Sequence, residues 1–109
     1  MKKVIPYGRQ TITKEDIEAV VATLESDFLT QGPKVNQFEN EFTKYTDAKY
    51  AVAVNNATSG LHLSVLALNL KKGERVITTP ITFASTANCI RFCGGEVWFA
   101  DIEPNTYLL

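Results

Sequence analysis

The stretch Asn55-Asn56-Ala57-Thr58-Ser59-Gly60 offers the most direct chemistry in this 109-residue chain. It is small and polar. It sits between YAVAV (Tyr50–Val54), which reads as a buried parallel strand, and a leucine- and alanine-rich run, Gly60–Leu70, which reads as a helix buried on more than one side. Strand, polar turn and helix together aim a helix N-terminus at an anion. Thr58 and Ser59 add hydroxyls to the unpaired backbone N–H groups of such a turn, which is what a phosphate dianion needs. The pattern is neither a P-loop nor G-x-G-x-x-G, so ordinary nucleotide folds are disfavoured. Plain N-capping by Thr58 or Ser59 is the commoner use of such residues.

Other candidates are weaker. Phe83 follows the strand-like RVITT beside Thr82 and Ser85; an aromatic ring there stacks on a planar cofactor or belongs to the core. Asp101 ends the strand-like EVWFAD and either binds a hydroxyl or caps a turn. His62 is the single histidine, and on an apolar helix it reads as a satisfied interior group. Cys89 and Cys93 read as small, buried, reduced thiols, since a zinc site wants four ligands. The sequence shows no nucleophile–base pair, paired carboxylates or metal cluster.

These residues need a frame. Met1–Gln10 is an irregular arm broken by Pro6 and Gly8. Thr13–Ser26 is an amphipathic helix with Thr13 as N-cap and Ile17, Val20, Val21 and Leu24 on one stripe. Phe28–Pro33 is a loop in which Gly32 supplies an unusual backbone angle and Pro33 opens the next helix. That helix, Pro33–Tyr45, places Val35, Phe38, Phe42 and Tyr45 on one side and leaves Glu39 and Glu41 to solvent. Lys71, Lys72 and Gly73 close the later Gly60–Leu70 helix. A second strand over residues 74–79, a helix to about Phe92 stopped by Gly94 and Gly95, and a third strand over residues 96–101 complete a βαβαβ order. That order predicts a parallel sheet covered by helices, with ligands at the carboxyl ends of the strands. The reading divides the chain into an arm with two scaffold helices, residues 1–48, and the start of an α/β domain, residues 49–109.

Composition narrows the class. The net charge is −1 with no basic cluster, which argues against nucleic-acid binding. No apolar run approaches the ~20 residues of a membrane span, and the N-terminus lacks a signal-peptide core, leaving the cytoplasm as the default. The apolar ending at Leu109 reads as an interior boundary, so the chain is expected to be the front part of a longer protein.

Four segments then carry a resemblance: FLTQGPKVNQFENEF, YAVAVNNATSGLHLSVLAL, VITTPITFASTANCI and FADIEPNTY. In that order and spacing they resemble the DegT/DnrJ/EryC1/StrS sugar aminotransferases, pyridoxal-phosphate (PLP) enzymes. The resemblance implies the N-terminal part of the aspartate-aminotransferase-like transferase fold (fold type I), α/β with helices on both faces of the sheet. It implies amino transfer, with glutamate as donor, to C4 of a UDP-linked 4-keto-6-deoxy-N-acetylhexosamine on the route to pseudaminic acid. Thr58 and Ser59 match the residues that hold the cofactor phosphate, with Ala57 and Gly60 shaping the turn. Phe83 matches the ring that stacks on the pyridine. Thr30, Gln31 and Gly32 match a region near the sugar-nucleotide site, and Tyr7 is a weaker match for substrate contact. A homodimer is implied, and no metal.

The family's Schiff-base lysine lies beyond residue 109, and none of the lysines present matches its motif, so no catalytic residue is expected here. The first strand is also implied not to neighbour the next two. Two alternatives stay open: a dehydratase of the same fold, in which histidine replaces that lysine, and a small non-catalytic α/β binding module.

Overall fold

The computed structural model describes residues 4–109, which fall into two compact units divided between Ala53 and Val54.

In the first unit, helix α1 spans Lys14–Leu24. Its start is a reciprocal cap: Thr13 Oγ1 accepts the Asp16 N–H at 3.3 Å, and Asp16 Oδ2 accepts the Thr13 N–H at 2.8 Å. The apolar stripe forms at the expected spacing, yet Ile17, Val20, Val21 and Leu24 are all exposed. Helix α2 spans Pro33–Thr46 with Pro33 at its first position, and Asp47 ends it in the left-handed region at φ 55°.

Gly32 plays a different part from the one expected. Its φ is −81°, open to any residue, and the left-handed residue of the loop is Gln31 at φ 51°. Gly32 is needed for space: a Cβ there would lie 2.6 Å from Phe28 Cβ and 3.2 Å from the Phe28 carbonyl oxygen. Neither atom is the free end of a side chain. Gly32→Ala is therefore expected to destabilise this turn by about 1–3 kcal/mol, read as a lowered urea midpoint.

The strand expected at Tyr50–Val54 does not form. The segment is extended but pairs with no strand among the described residues. Tyr50, Val52 and Val54 favour an extended backbone, but a ladder also requires a neighbour. Glu39 supplies one partner instead. Its Oε1 accepts the Ala53 N–H at 2.8 Å, and the side chain is half-buried rather than solvated as expected.

The second unit holds the sheet. Strands β1 (Arg75–Thr78) and β2 (Glu96–Phe99) pair in parallel, with Val76 opposite Val97 and Thr78 opposite Phe99. Helix α4, Ser85–Phe92, packs against both strands. Its Ser85, Cys89 and Ile90 are buried, as is Thr78 of β1. Thr78 shares a face with half-buried Val76 and Val97, so this is the face α4 covers. Helix α3, Ala57–Ala67, packs on α4, where the His62 ring meets the Phe92 ring edge-on at 5.4 Å. Cys89 is buried as expected, but Cys93 is only half-buried; both are free thiols.

Helix α3 departs from expectation in two respects. It has no buried residue, because leucines alone do not bury a helix; neighbours must. It also ends at Ala67, not Leu70, since Asn69 takes the left-handed conformation at φ 55°. Lys71 therefore belongs to the next turn, where its N–H donates to Glu74 Oε2 at 2.7 Å.

After β2, Glu103 organises the last turn. Its carboxylate accepts the backbone N–H groups of Asn105 (3.0 Å) and Thr106 (2.7 Å) and the Asn105 side-chain amide (2.8 Å). These donors, the Asn105 N–H first, hold its carboxyl below the ordinary glutamate value. A lowered folded pKa gives stability that is present above the unfolded pKa and lost as pH falls through the folded one. The Asn105 and Thr106 amide resonances are thus expected to shift together on acidification with a midpoint below the ordinary glutamate value; a midpoint at or above that value contradicts the bonding.

Candidate functional site

The polar turn is shorter than its sequence indicates. Helix α3 begins at Ala57, and its N-cap is Asn56, not Thr58 or Ser59. Asparagine outranks threonine as a cap, a signal present in the sequence at Asn55-Asn56 and passed over there. Asn56 Oδ1 accepts the Ser59 N–H at 2.9 Å. Asn55 Oδ1 accepts the Ser59 hydroxyl at 3.0 Å and the Asn56 side-chain amide at 3.1 Å. Thr58 and Ser59 thus sit inside the first helical turn, both half-buried, with Ala57 exposed ahead of them. Gly60 follows, and a Cβ there would meet Val54 Cγ2 only at an ordinary 3.6 Å.

The Thr58 hydroxyl takes part in no hydrogen bond among the described residues, and the N–H groups of Ala57 and Thr58 are likewise unclaimed. There is no carboxylate anywhere in Asn55–Gly60 to repel an anion. Unclaimed donors at the positive end of a helix fit a phosphate group.

Phe83 lies in the loop that leads from β1 into α4; its carbonyl accepts the Thr86 N–H at 3.0 Å. The ring is 75% exposed, so it is not core in this unit and presents a free face. Thr82 and Thr86 hydroxyls lie 3.1 Å apart beside it. Phe83 and Thr58 thus precede or open two helices, α4 and α3, that pack on each other, although no hydrogen bond or ring contact joins them. Asp101 does not cap the following turn; its Oδ1 accepts the N–H of the adjacent Ile102 at 2.8 Å.

Thr30, Gln31 and Gly32 form one loop of the first unit, with Thr30 and Gln31 exposed and Gly32 half-buried. Tyr7 lies exposed in the arm ahead of α1, and no hydrogen bond ties it to that loop. No group of three or more metal-ligating side chains occurs among the described residues.

A parallel α/β frame with unclaimed N–H and hydroxyl donors at a helix start defines a domain suited to a phosphate-bearing cofactor. The chain matches the DegT/DnrJ/EryC1/StrS aminotransferase family over residues 10–109 and belongs to it. It is 50% identical over 102 residues to the spore coat polysaccharide biosynthesis protein SpsC of Bacillus subtilis, covering 94% of this chain and 26% of that protein. It is 43% identical over 99 residues to the UDP-4-amino-4,6-dideoxy-N-acetyl-beta-L-altrosamine transaminase of Campylobacter jejuni, covering 91% of this chain and 26% of that one.

Among solved structures it superposes on the PLP form of the sugar aminotransferase Spr1654 of Streptococcus pneumoniae with a TM-score of 0.85 and 32% identity, over 94% of this chain and 26% of that one. The E. coli GDP-4-keto-6-deoxy-D-mannose-3-dehydratase with bound hydrated PLP gives a TM-score of 0.86 at 30% identity, over 94% and 28%. The fold is therefore the N-terminal part of the PLP-dependent transferase fold, as the resemblance implies. The chain spans about a quarter of the length of the curated relatives it matches.

Proposed function

We propose that the whole protein is a PLP-dependent sugar aminotransferase that moves an amino group from glutamate to C4 of a UDP-linked 4-keto-6-deoxy-N-acetylhexosamine, on the route to pseudaminic acid. The observation that carries this reading is the set of unclaimed donors at the start of α3, in a chain 43% identical to a transaminase of such a sugar. The cofactor, when bound, supplies the carbonyl and the electron sink that amino transfer needs. This chain's part is positional. Thr58, with the Ala57 and Thr58 N–H groups, holds the phosphate at the positive end of α3. Phe83 lays its exposed ring against the pyridine face. Thr30, Gln31, Gly32 and Tyr7 line the approach of the sugar nucleotide. The lysine that moves protons is supplied from beyond Leu109, and the working form is a cytoplasmic homodimer. Among the described residues no helix is long and apolar enough to cross a membrane.

Purified full-length protein is expected to be yellow, to lose that colour with glutamate, and then to yield the 4-amino sugar from the UDP-linked 4-ketone. Protein without cofactor absorbance defeats the reading. The likeness to the E. coli dehydratase supports a second reading. Deoxygenation of a keto sugar in place of amino-sugar formation would select it.

A further inference from the structure

The start of α3 carries two hydroxyls, and the structure treats them differently. The Ser59 hydroxyl is committed to Asn55 Oδ1 at 3.0 Å, and its N–H to Asn56 Oδ1 at 2.9 Å. Asn55 and Asn56 are themselves joined at 3.1 Å through the Asn56 amide. Three residues thus form a closed polar loop that ties the end of the extended segment to the first turn of the helix. Thr58, one position earlier and equally half-buried, has its hydroxyl left over.

A hydroxyl carries a single proton. With that proton on Asn55, Ser59 Oγ presents only lone pairs outward, and lone pairs repel a phosphate dianion. From this geometry we infer that Ser59 is not a phosphate ligand but a positioning residue, acting with Asn55 to hold the Ala57 and Thr58 N–H groups in line. This rests on the assignment of the cofactor phosphate to the start of α3. It divides the work of two adjacent hydroxyls that residue type alone treats as equals: Thr58 contacts the anion, and Ser59 fixes the backbone that contacts it.

The experiment is a double-mutant cycle on full-length protein, stripped of cofactor and titrated with PLP and, separately, with pyridoxal, which lacks the phosphate. Asn55→Ala and Ser59→Ala are each expected to weaken PLP binding roughly threefold, and the double variant no more than Asn55→Ala alone, because both single changes remove the same Ser59–Asn55 bond. Pyridoxal affinity should stay unchanged in all three, which a general loss of folding would not allow. Amide hydrogen exchange at residue 59, whose N–H is bonded to Asn56 Oδ1, should quicken in the cofactor-free variants. Ser59→Thr, which keeps the donor, should restore PLP affinity. Additive losses from Asn55→Ala and Ser59→Ala overturn the inference, as does a Ser59→Ala loss equal to that of Thr58→Ala. If Thr58→Ala, Ser59→Ala and Asn55→Ala all leave PLP affinity untouched, the phosphate lies elsewhere and the underlying assignment falls instead.

Discussion

Thr58→Ala in the full-length protein is expected to weaken PLP binding roughly ten- to hundredfold, the worth of about 1.5–3 kcal/mol for one hydrogen bond to a charged group. The hydroxyl it removes takes part in no bond among the described residues, so the substitution orphans nothing inside the chain. Alanine is also the better helix former at this position, so weakened binding cannot be traced to a weakened α3. The loss stays bounded because the Ala57 and Thr58 N–H groups remain. Thr58→Ser, which retains the hydroxyl, should bind nearly as the parent does. Equilibrium titration of cofactor-stripped protein, followed by absorbance, gives the answer. Equal affinity in parent and alanine variant would mean that the hydroxyl points away from the anion.

Gly95→Ala is expected to cost about 1–3 kcal/mol of stability, and Gly95→Val more. A Cβ at this position would lie 2.5 Å from Leu70 Cδ2, 2.9 Å from Ile90 Cγ2 and 3.3 Å from the Glu74 carbonyl oxygen. The Leu70 methyl can rotate aside. Ile90 cannot, since it is 3% exposed and wedged between α4 and the sheet. The Glu74 oxygen is also fixed, because it accepts the Glu96 N–H at 2.8 Å in front of the β1–β2 ladder. Gly95 thus marks the point where α4 turns back onto the sheet at backbone distance. Gly8→Ala provides the control: nothing lies within 4 Å of its Cβ position, and a change within about 0.5 kcal/mol is expected. Urea midpoints of the two variants should separate clearly; coincident midpoints would show that the sheet yields to the added methyl.

Gly95 also shows which parts of the fold a sequence carries. The pair Gly94-Gly95 marks the end of α4 by type alone, and the helix ends there. The reasons differ, however: Gly94 takes φ 82°, a local demand, whereas Gly95 yields space not only to nearby Ile90 but to Leu70 and the Glu74 carbonyl, which are distant in the chain. Local demands are legible. Thr13 with Asp16 caps α1, Pro33 opens α2, and β1, α4 and β2 fall within the stretches that their residue types mark. Demands met by distant atoms are not legible. Tyr50–Val54 has strand residues but no ladder, and α3 has a buried helix's composition but an exposed surface. At the candidate site, periodicity reached the turn but not its register. Asn56 outcompeted Thr58 and Ser59 for the cap, and that shift changes which hydroxyl is free.

The bond from Glu39 to the Ala53 N–H has a consequence for self-association. Tyr50–Val54 is a short, uncharged, β-prone run, the composition that recruits a like segment from another chain. A growing cross-chain ladder needs a continuous row of main-chain donors, and the carboxylate occupies one in the middle of this row. An incoming strand must evict a charged acceptor before it can register. Glu39 therefore stands where a gatekeeper would, on a neighbouring helix rather than in the run itself.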